Sequence, residues 1–225
     1  MQLGLVGLGK MGFNMRERLR EGGHEVVGYD PRPEVSDVPS LAALAEALEA
    51  PRVVWVMVPS GPITHDTIVS LAEVLGEGDL VIDGGNSRYT EDAPHAELLG
   101  QKGIGFVDAG VSGGIWGLTE GYGLMVGGSD DDIERVMPIF EALRPPGPRE
   151  DGFVHAAIHA KEHVAVIVEI KLRSVSRNVE ADNRCIESVG ARTRIDVVIR
   201  VKLVGGIIQI PRRLGWRYGW TDIGN

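Results

Sequence analysis

The start of the chain carries a glycine pattern suited to holding phosphate groups. The motif is G-x-G-x-x-G, and its residues are Gly7, Leu8, Gly9, Lys10, Met11 and Gly12. It follows a short apolar segment and precedes one with helical spacing, the setting in which a helix N-terminus faces a pyrophosphate. There the first glycine permits a tight turn, the second lets the backbone approach the phosphates, and the third lets helix and strand pack closely.

An acidic residue stands where the partner of such a motif is expected. Asp30 ends the next strand-like segment, 18 residues after Gly12, and its carboxylate can accept hydrogen bonds from both hydroxyls of an adenosine ribose. The same carboxylate would repel a 2′-phosphate, which favours NAD, while Arg32 leaves NADP possible. The sequence therefore predicts an NAD site that includes residues 7–12, Asp30 and Arg32. A glycine-rich turn without a ligand is the alternative.

Three further segments follow predicted strands and could face the same ligand. They are Val58-Pro59-Ser60-Gly61, Asp83-Gly84-Gly85-Asn86-Ser87 and Asp108-Ala109-Gly110-Val111-Ser112-Gly113-Gly114. Because parallel strands bring their carboxyl ends to one edge of a sheet, we expect all three segments at that edge. Asn86 offers both a donor and an acceptor, and Ser112 with its two following glycines offers a hydroxyl and free amides. A plain turn, a helix cap and a flexible loop remain the alternatives for the three segments.

The elements that would position these residues alternate between strand and helix over residues 1–155. Strands are predicted at Gln2–Val6, Glu25–Tyr29, Val53–Val58, Leu80–Ile82, Gly105–Asp108, Gly123–Val126 and Phe153–His155. Helices are predicted at Met11–Glu21, Leu41–Leu48, Pro62–Leu75, Tyr89–Leu99 and Asp130–Leu143. This order predicts an α/β fold, a Rossmann-like doubly wound and mostly parallel sheet. Residues 109–114 are predicted to form a glycine-rich loop.

The composition is that of an ordinary globular protein, with 43% hydrophobic and 24% charged residues in a chain of 225. The single cysteine, Cys185, excludes an intrachain disulfide and fits a reducing compartment. No apolar run approaches the roughly 20 residues that a membrane-spanning helix needs. We therefore expect a cytoplasmic protein with no membrane partner.

Residues 157–225 differ in character from the rest and are predicted to form an atypical tail, strand-rich or poorly ordered. Residues 1–150 carry 11 Lys and Arg against 24 Asp and Glu, whereas residues 151–225 carry 12 against 8. Apolar residues alternate over His163–Arg173 and Ile195–Leu203, which predicts two strands. The basic residues stand singly among apolar ones, which indicates a solvated surface and no nucleic-acid partner.

Residues 1–156 resemble the N-terminal NAD(P)-binding domain of decarboxylating 6-phosphogluconate dehydrogenase, in its shorter, NAD-linked bacterial branch. The segments that carry the resemblance are Gly7–Gly12, Val56–Pro59, Asp83–Ser87, Phe106–Gly114 and Gly121–Gly128. Dehydrogenases of the 3-hydroxyisobutyrate type share the opening glycines. They usually lack the Asp-Gly-Gly-Asn-Ser segment, which favours the sugar-acid branch.

The resemblance implies oxidation of 6-phosphogluconate at C3 by hydride transfer to NAD(P), then loss of CO2 to give ribulose 5-phosphate. It places the chain in gluconate utilization and the pentose phosphate pathway. It also implies that Asn86 lies between the nicotinamide and the substrate, and that Val58 and Pro59 line the cofactor cleft. Ser112, Gly113 and Gly114 would then hold the substrate.

Beyond Ala156 the chain departs from the family pattern, and we assign no catalytic residue. A register continued through His163 places Val166 where the family has a catalytic Lys and Ile170 where it has an Asn. We find no counterpart of the family's catalytic Glu, and Lys161 is better explained as a surface residue. The tail replaces the all-helical domain through which the family dimerises, so the oligomeric state is left open.

We therefore expect an enzyme of this type whose activity in this chain is impaired or truncated. The abrupt change in charge and periodicity would fit a truncated, frame-disrupted or recombined gene. Two alternatives stay open, a non-catalytic NAD-binding module and a different β-hydroxyacid dehydrogenase.

Overall fold

A computed structural model describes residues 1–87 and 89–155, together with five short strands beyond residue 163. The chain divides into two units, Met1–His163 and Val164–Asn225. Within the described residues, every helix is too short or too polar to cross a membrane.

The first unit is built on a seven-stranded sheet with the strand order β2-β1-β3-β4-β5-β6-β7. Its strands are β1 (Gln2–Val6), β2 (Glu25–Tyr29), β3 (Val53–Val56), β4 (Leu80–Asp83), β5 (Gly105–Ser112), β6 (Gly123–Gly127) and β7 (Phe153–His155). Neighbouring strands run parallel except at the antiparallel pair β5–β6. The predicted Rossmann-like fold is confirmed.

Helices cover both faces of this sheet. They are α1 (Lys10–Glu21), α2 (Leu41–Glu46), α3 (Pro62–Val74), α4 (Tyr89–Gly100), α5 (Gly117–Glu120) and α6 (Asp130–Leu143), with 3-10 turns at Gly114–Trp116 and Arg149–Asp151. Every residue of β3 and β4 is buried, which explains why their sequences are continuous apolar runs rather than alternating ones. Two apolar layers result, one on each face of the sheet.

Strand β5 differs from its prediction. It continues through Ser112 rather than ending at Asp108, so the loop predicted for residues 109–112 is wrong. The added residues pair with β6 in antiparallel register, from Ala109 opposite Val126 to Ser112 opposite Gly123. The partner strand supplies the backbone hydrogen bonds that hold this glycine-containing segment extended. Only Gly113 and Gly114 remain outside the strand in the predicted loop.

The second unit is described at five strands. They are β8 (Val164–Ala165), β9 (Arg173–Ser174), β10 (Ile195–Asp196), β11 (Arg200–Leu203) and β12 (Gly206–Gln209). Strand β11 pairs antiparallel with β8 and β12, and β9 pairs antiparallel with β10. Of the predicted strands His163–Arg173 and Ile195–Leu203, the parts outside these elements lie beyond the described residues.

Candidate functional site

The carboxyl ends of the first four strands meet at one edge of the sheet. Val6 at the end of β1 is opposite both Tyr29 and Val56, and Val56 is opposite Asp83. The residues that follow Val6, Tyr29, Val56 and Asp83 therefore all start at the same edge of the sheet. They include the glycine motif, Asp30, Val58 and the Gly84–Asn86 turn, so the predicted cofactor residues share one edge.

Two glycines of the motif are required by the packing of the protein itself. Gly7 has a φ of +93°, and a Cβ there would overlap the carbonyl of Met57 and lie 2.9 Å from Val58 Cγ1. A Cβ on Gly12 would overlap the carbonyl oxygen of Gly7. These contacts bring the turn, helix α1 and the segment after β3 together, and they leave no room for a side chain.

Gly9 is different, because the protein does not fill the space beside it. Apart from Gly9 itself, its two chain neighbours and the local backbone, no described heavy atom lies within 4 Å of the position that a Cβ on Gly9 would take. Gly9 is the N-cap of α1 and provides no side-chain cap, and the first turn of α1 holds no acidic residue. Uncapped amides at a helix N-terminus beside an open glycine fit the pyrophosphate of a dinucleotide.

Asp30 lies beside this turn and is tied to it. Its Oδ2 accepts a hydrogen bond from the backbone N–H of Leu8 at 2.8 Å. The side chain of Leu8 is buried in the core, so Leu8 reaches the site only through its backbone. The predicted acid and the predicted turn are therefore adjacent, as a dinucleotide site requires.

The guanidinium of Arg32 lies across the carboxylate of Asp30. Arg32 Nε is 2.8 Å and Nη2 is 3.2 Å from the two carboxylate oxygens, the Arg32 backbone N–H donates to Oδ1 at 3.0 Å, and Nη2 also donates to the Leu8 carbonyl at 3.0 Å. The hydrogen bond from Arg32 is the largest cause that lowers the pKa of Asp30 to about 2. The side chain of Asp30 is 9% exposed and that of Arg32 is 53% exposed.

These contacts occupy the predicted ribose acceptor. A carboxylate offers about four lone-pair positions, and Leu8 and Arg32 together direct four donors at Asp30. A further donor, such as a ribose hydroxyl, would compete with the half-exposed guanidinium of Arg32 for Asp30. The sequence predicts Asp30 and Arg32 in the site but not their mutual pairing, for which the spacing of two residues is the available signal.

The segment after β3 and the turn after β4 are in contact. A Cβ on Gly85 would lie 3.1 Å from the carbonyl oxygen of Val58. The hydroxyl of Thr64, fully buried on α3, donates to the carbonyl of Pro59 at 3.0 Å. The structure therefore brings Val58 and Pro59 to the turn that carries Asn86. Asn86 itself is exposed.

The fully buried carboxylate of Asp83 shapes the Asn86 turn. Asp83 accepts hydrogen bonds from the Gly85 backbone N–H at 3.0 Å and from the Ser87 hydroxyl. Asp108 is opposite Asp83 on β5 and is also buried. The sequence patterns predict no role for Asp83 or Thr64; a charged residue at the end of a continuous apolar strand is the available signal for Asp83.

Ser112 lies further from the sheet edge than the cofactor residues. Asp108 is the residue of β5 that is level with the end of β4, and β5 continues for four residues to Ser112, about 13 Å at the usual rise per residue. Gly113 and Gly114 follow with φ values of +150° and +52°. The predicted substrate turn, residues 112–114, therefore lies beyond the edge that holds the cofactor residues, at the paired ends of β5 and β6.

The positions compared with catalytic residues lie outside the described part of the chain, whereas two other titratable residues, Glu120 and His155, lie within it. Lys161, His163, Val166 and Ile170 lie outside the described residues. Glu120 is exposed at the end of α5. His155 places Nε2 3.2 Å from the carbonyl of Gly128 and Nδ1 3.6 Å from the carboxylate of Asp130.

Comparison with known proteins relates this chain to one enzyme family. Residues 2–145 match the family model described as the NAD binding domain of 6-phosphogluconate dehydrogenase. The chain is 34% identical over 177 residues to the NAD(+)-dependent, decarboxylating 6-phosphogluconate dehydrogenase of Haloferax volcanii, covering 75% of this chain and 57% of the relative. It is 36% identical over 155 residues to the decarboxylating 6-phosphogluconate dehydrogenase of Haemophilus influenzae, covering 63% of this chain and 32% of the relative. The matched part of the chain thus spans between about a third and somewhat more than half the length of these relatives.

A solved structure shows the same architecture. The chain is similar to the 3-hydroxyisobutyrate dehydrogenase of Mycobacterium tuberculosis described with L-serine, with a TM-score of 0.62 and 26% identity. The superposition covers 72% of this chain and 56% of that chain.

Proposed function

Because the chain belongs to the family of the NAD binding domain of 6-phosphogluconate dehydrogenase, we propose that it acts as an oxidoreductase on 6-phosphogluconate. The reaction would be hydride transfer from C3 to NAD, or to NADP, with decarboxylation to ribulose 5-phosphate. The observation that carries the proposal is the junction of the uncapped N-terminus of α1, the open face of Gly9 and the Asp83-Gly84-Gly85-Asn86-Ser87 turn at one sheet edge.

In this proposal, residues 7–12 hold the cofactor. The amides at the start of α1 bind the pyrophosphate, to which Lys10, the first residue of the helix, adds a positive charge, and Met11 continues the first helical turn. Asp30 accepts hydrogen bonds from the adenosine ribose after Arg32 moves aside, and Arg32 can then pair with a 2′-phosphate. Val58 and Pro59 line the cleft between the glycine motif and the Asn86 turn. The bound nicotinamide accepts the hydride.

Substrate recognition is assigned to Asn86, Ser112, Gly113 and Gly114. Asn86 is exposed at the crest of a turn that Asp83 holds rigid, so its amide can orient a hydroxyl or a carboxamide. The positive φ values of Gly113 and Gly114 turn the backbone after Ser112, which leaves the serine hydroxyl exposed for an anionic or hydroxylated group. In the proposed domain organisation, residues 1–156 form the dinucleotide-binding domain and residues 157–225 a separate tail.

A non-catalytic NAD-binding module is the second candidate. The sequence register through His163 places Val166 at the position of the family's lysine and Ile170 at that of its asparagine. Neither side chain can take or give a proton, whereas the oxidation needs a base at the C3 hydroxyl and the enediol needs an acid. A chain of this kind would bind NAD but would not turn over a substrate.

A different β-hydroxyacid dehydrogenase is the third candidate, and the similarity to a 3-hydroxyisobutyrate dehydrogenase favours it over unrelated reactions. Such an enzyme would use the same cofactor edge with a smaller hydroxy acid. The Asp83–Ser87 segment is the feature that favours the phosphorylated sugar acid instead.

Cofactor binding and turnover on the purified full chain separate the three candidates. Calorimetry measures NAD and NADP binding, and absorbance at 340 nm follows reduction with 6-phosphogluconate and with a panel of small hydroxy acids. Turnover of 6-phosphogluconate supports the proposal, and turnover of a small hydroxy acid alone supports the third candidate. Binding without any turnover supports the non-catalytic module. If neither NAD nor NADP binds, all three candidates are rejected.

A further inference from the structure

A buried tyrosine lies beneath the proposed substrate turn. Tyr122 is fully buried and immediately precedes Gly123, the residue of β6 that is paired with Ser112. Its backbone N–H donates to the carbonyl of Leu143 at 2.8 Å. The backbone of Tyr122 is therefore tied to the end of α6, and the residue after it is paired with the end of β5.

Two of the glycines that follow Ser112 pack closely against this ring. A Cβ on Gly113 would lie 3.0 Å from Tyr122 Cδ1, and a Cβ on Gly117 would overlap the ring outright. Any side chain at position 117 would displace either the ring or the backbone. The course of the chain from Gly113 to Gly117 is thus set by contact with one aromatic face.

The tyrosine hydroxyl does not explain why an aromatic residue stands here. It is buried and has no hydrogen-bond partner among the residues that the structure describes. Burial raises the pKa of this hydroxyl to about 12, with a smaller opposing effect from the charge of Arg18. A buried donor without a partner costs free energy, so the ring itself supplies the useful contact.

Arg18 holds the other end of the same segment. Its guanidinium donates to the carbonyls of Leu118, Leu143 and Arg144 at 3.0, 3.1 and 2.9 Å. These bonds tie helix α5, which follows the turn, to the end of α6 and to α1, the helix that begins at the cofactor motif. The segment is consequently fixed at Tyr122 and again at Leu118.

We propose that Tyr122 is the positioning residue of the substrate turn, its ring acting as the template that sets the position of Ser112, Gly113 and Gly114. This inference rests on the proposed function, because it concerns the residues assigned to 6-phosphogluconate. Tyr122 touches neither substrate nor cofactor in this assignment and acts through the glycines that it contacts.

The test compares variants of the full chain in calorimetric titrations with 6-phosphogluconate and, separately, with NAD. Tyr122→Leu removes the template, Tyr122→Phe keeps the ring, and Phe153→Leu is the matched control, a core aromatic of the same apolar cluster. We expect Tyr122→Leu to raise the Kd for 6-phosphogluconate at least tenfold and to change the Kd for NAD less than twofold. Tyr122→Phe and Phe153→Leu should change both less than twofold. Equal 6-phosphogluconate affinity in Tyr122→Leu and Phe153→Leu overturns the inference.

Backbone amide exchange of residues 113–117 gives a measurement independent of substrate. Faster exchange there in Tyr122→Leu, absent from Phe153→Leu, supports the template even if the wild-type chain binds NAD and no 6-phosphogluconate, a result that rejects the proposed substrate. Unchanged exchange rejects the template.

If Tyr122→Leu does not fold, Gly117→Ala displaces the same contact, with Gly110→Ala as its control because a Cβ there meets Met125 at an ordinary 3.6 Å. Gly117→Ala binding that matches Gly110→Ala overturns the inference.

Discussion

Arg32 Nε lies 2.8 Å from Oδ1 of Asp30, so a guanidinium covers the carboxylate that a ribose would need. The same guanidinium reaches the carbonyl of Leu8 in the glycine motif. In the proposed cofactor site, the pair therefore covers the carboxylate assigned to the ribose. Because its arginine is half-exposed, the ion pair is expected to cost little free energy to open, and opening would present a carboxylate and a guanidinium side by side.

Arg32→Ala is expected to shift cofactor preference towards NAD. Removing the guanidinium frees Asp30 for the ribose, and we expect NAD to bind about two- to fivefold more tightly, the modest effect of losing a half-exposed ion pair. NADP should bind at least ~10-fold more weakly, because its 2′-phosphate loses a cation and meets an unpaired carboxylate. Calorimetric Kd values for both cofactors measure the change.

Arg149→Ala is the matched control for that experiment. Arg149 is 56% exposed and pairs with Glu141, away from the glycine motif. It should leave the ratio of NAD to NADP affinity unchanged. A ratio that moves equally in Arg149→Ala, or that stays constant in Arg32→Ala, contradicts the role given to Arg32.

The acid stability of the fold should depend on Asp30. Its pKa in the folded chain is about 2, chiefly because of the hydrogen bond from Arg32, whereas an unfolded aspartate titrates near 3.9. A depressed pKa contributes stability that is fully present above about pH 5 and is lost as pH falls towards 2. We expect the difference in unfolding free energy between wild type and Asp30→Asn to shrink by about 1–2 kcal/mol across that window, after allowing for the exposure of Arg32.

Urea denaturation at pH 6, 4 and 2.5 measures this difference. In an Arg32→Ala background, the pH-dependent part of the difference in unfolding free energy should fall to less than half of its value with Arg32 present, since the guanidinium is its main cause. A difference that is constant with pH, or one that survives the loss of Arg32, rules out the pair as its source.

Gly9→Ala and Gly12→Ala should separate cofactor binding from folding. A Cβ on Gly9 meets no described heavy atom within 4 Å, whereas one on Gly12 overlaps the Gly7 carbonyl. Gly9→Ala should change the unfolding free energy by less than about 1 kcal/mol and weaken NAD binding at least ~10-fold by filling the space kept for the pyrophosphate. Gly12→Ala should cost about 3 kcal/mol or more. If Gly9→Ala binds NAD like wild type, the open space is not the phosphate site.

Much of this fold could be predicted from sequence because its signals are local. The continuous apolar runs of β3 and β4 indicate strands that are covered on both faces, and the glycine motif fixes the first turn. Strand β5 could not be bounded in this way, because Ala109–Ser112 becomes a strand only through pairing with β6, which begins eleven residues later. Its glycine and serine favour a loop until the partner is known.

The site was predictable by residue and less so by interaction. Residue types and spacing identify Gly9, Asp30 and Asn86 as candidates. The pairing of Arg32 with Leu8 joins residues 24 positions apart, and the ring under Gly117 is visible only after folding. Both depend on tertiary contacts that single-sequence patterns do not encode.

Trp55 should constrain Gly84 in the turn that carries Asn86. A Cβ on Gly84 would overlap the fully buried indole, which also packs edge-on against Phe140 at 6.1 Å between ring centroids. Gly84→Ala is expected to lower the unfolding free energy by about 2–3 kcal/mol. In a Trp55→Phe background the smaller ring leaves room for the methyl group, so Gly84→Ala should cost at least ~1 kcal/mol less there. Gly110→Ala is the control and should show no coupling to Trp55, because the three heavy atoms nearest to its Cβ all belong to Met125. Additive effects of Gly84→Ala and Trp55→Phe in a double-mutant cycle of urea denaturation would mean that the indole does not fix this turn.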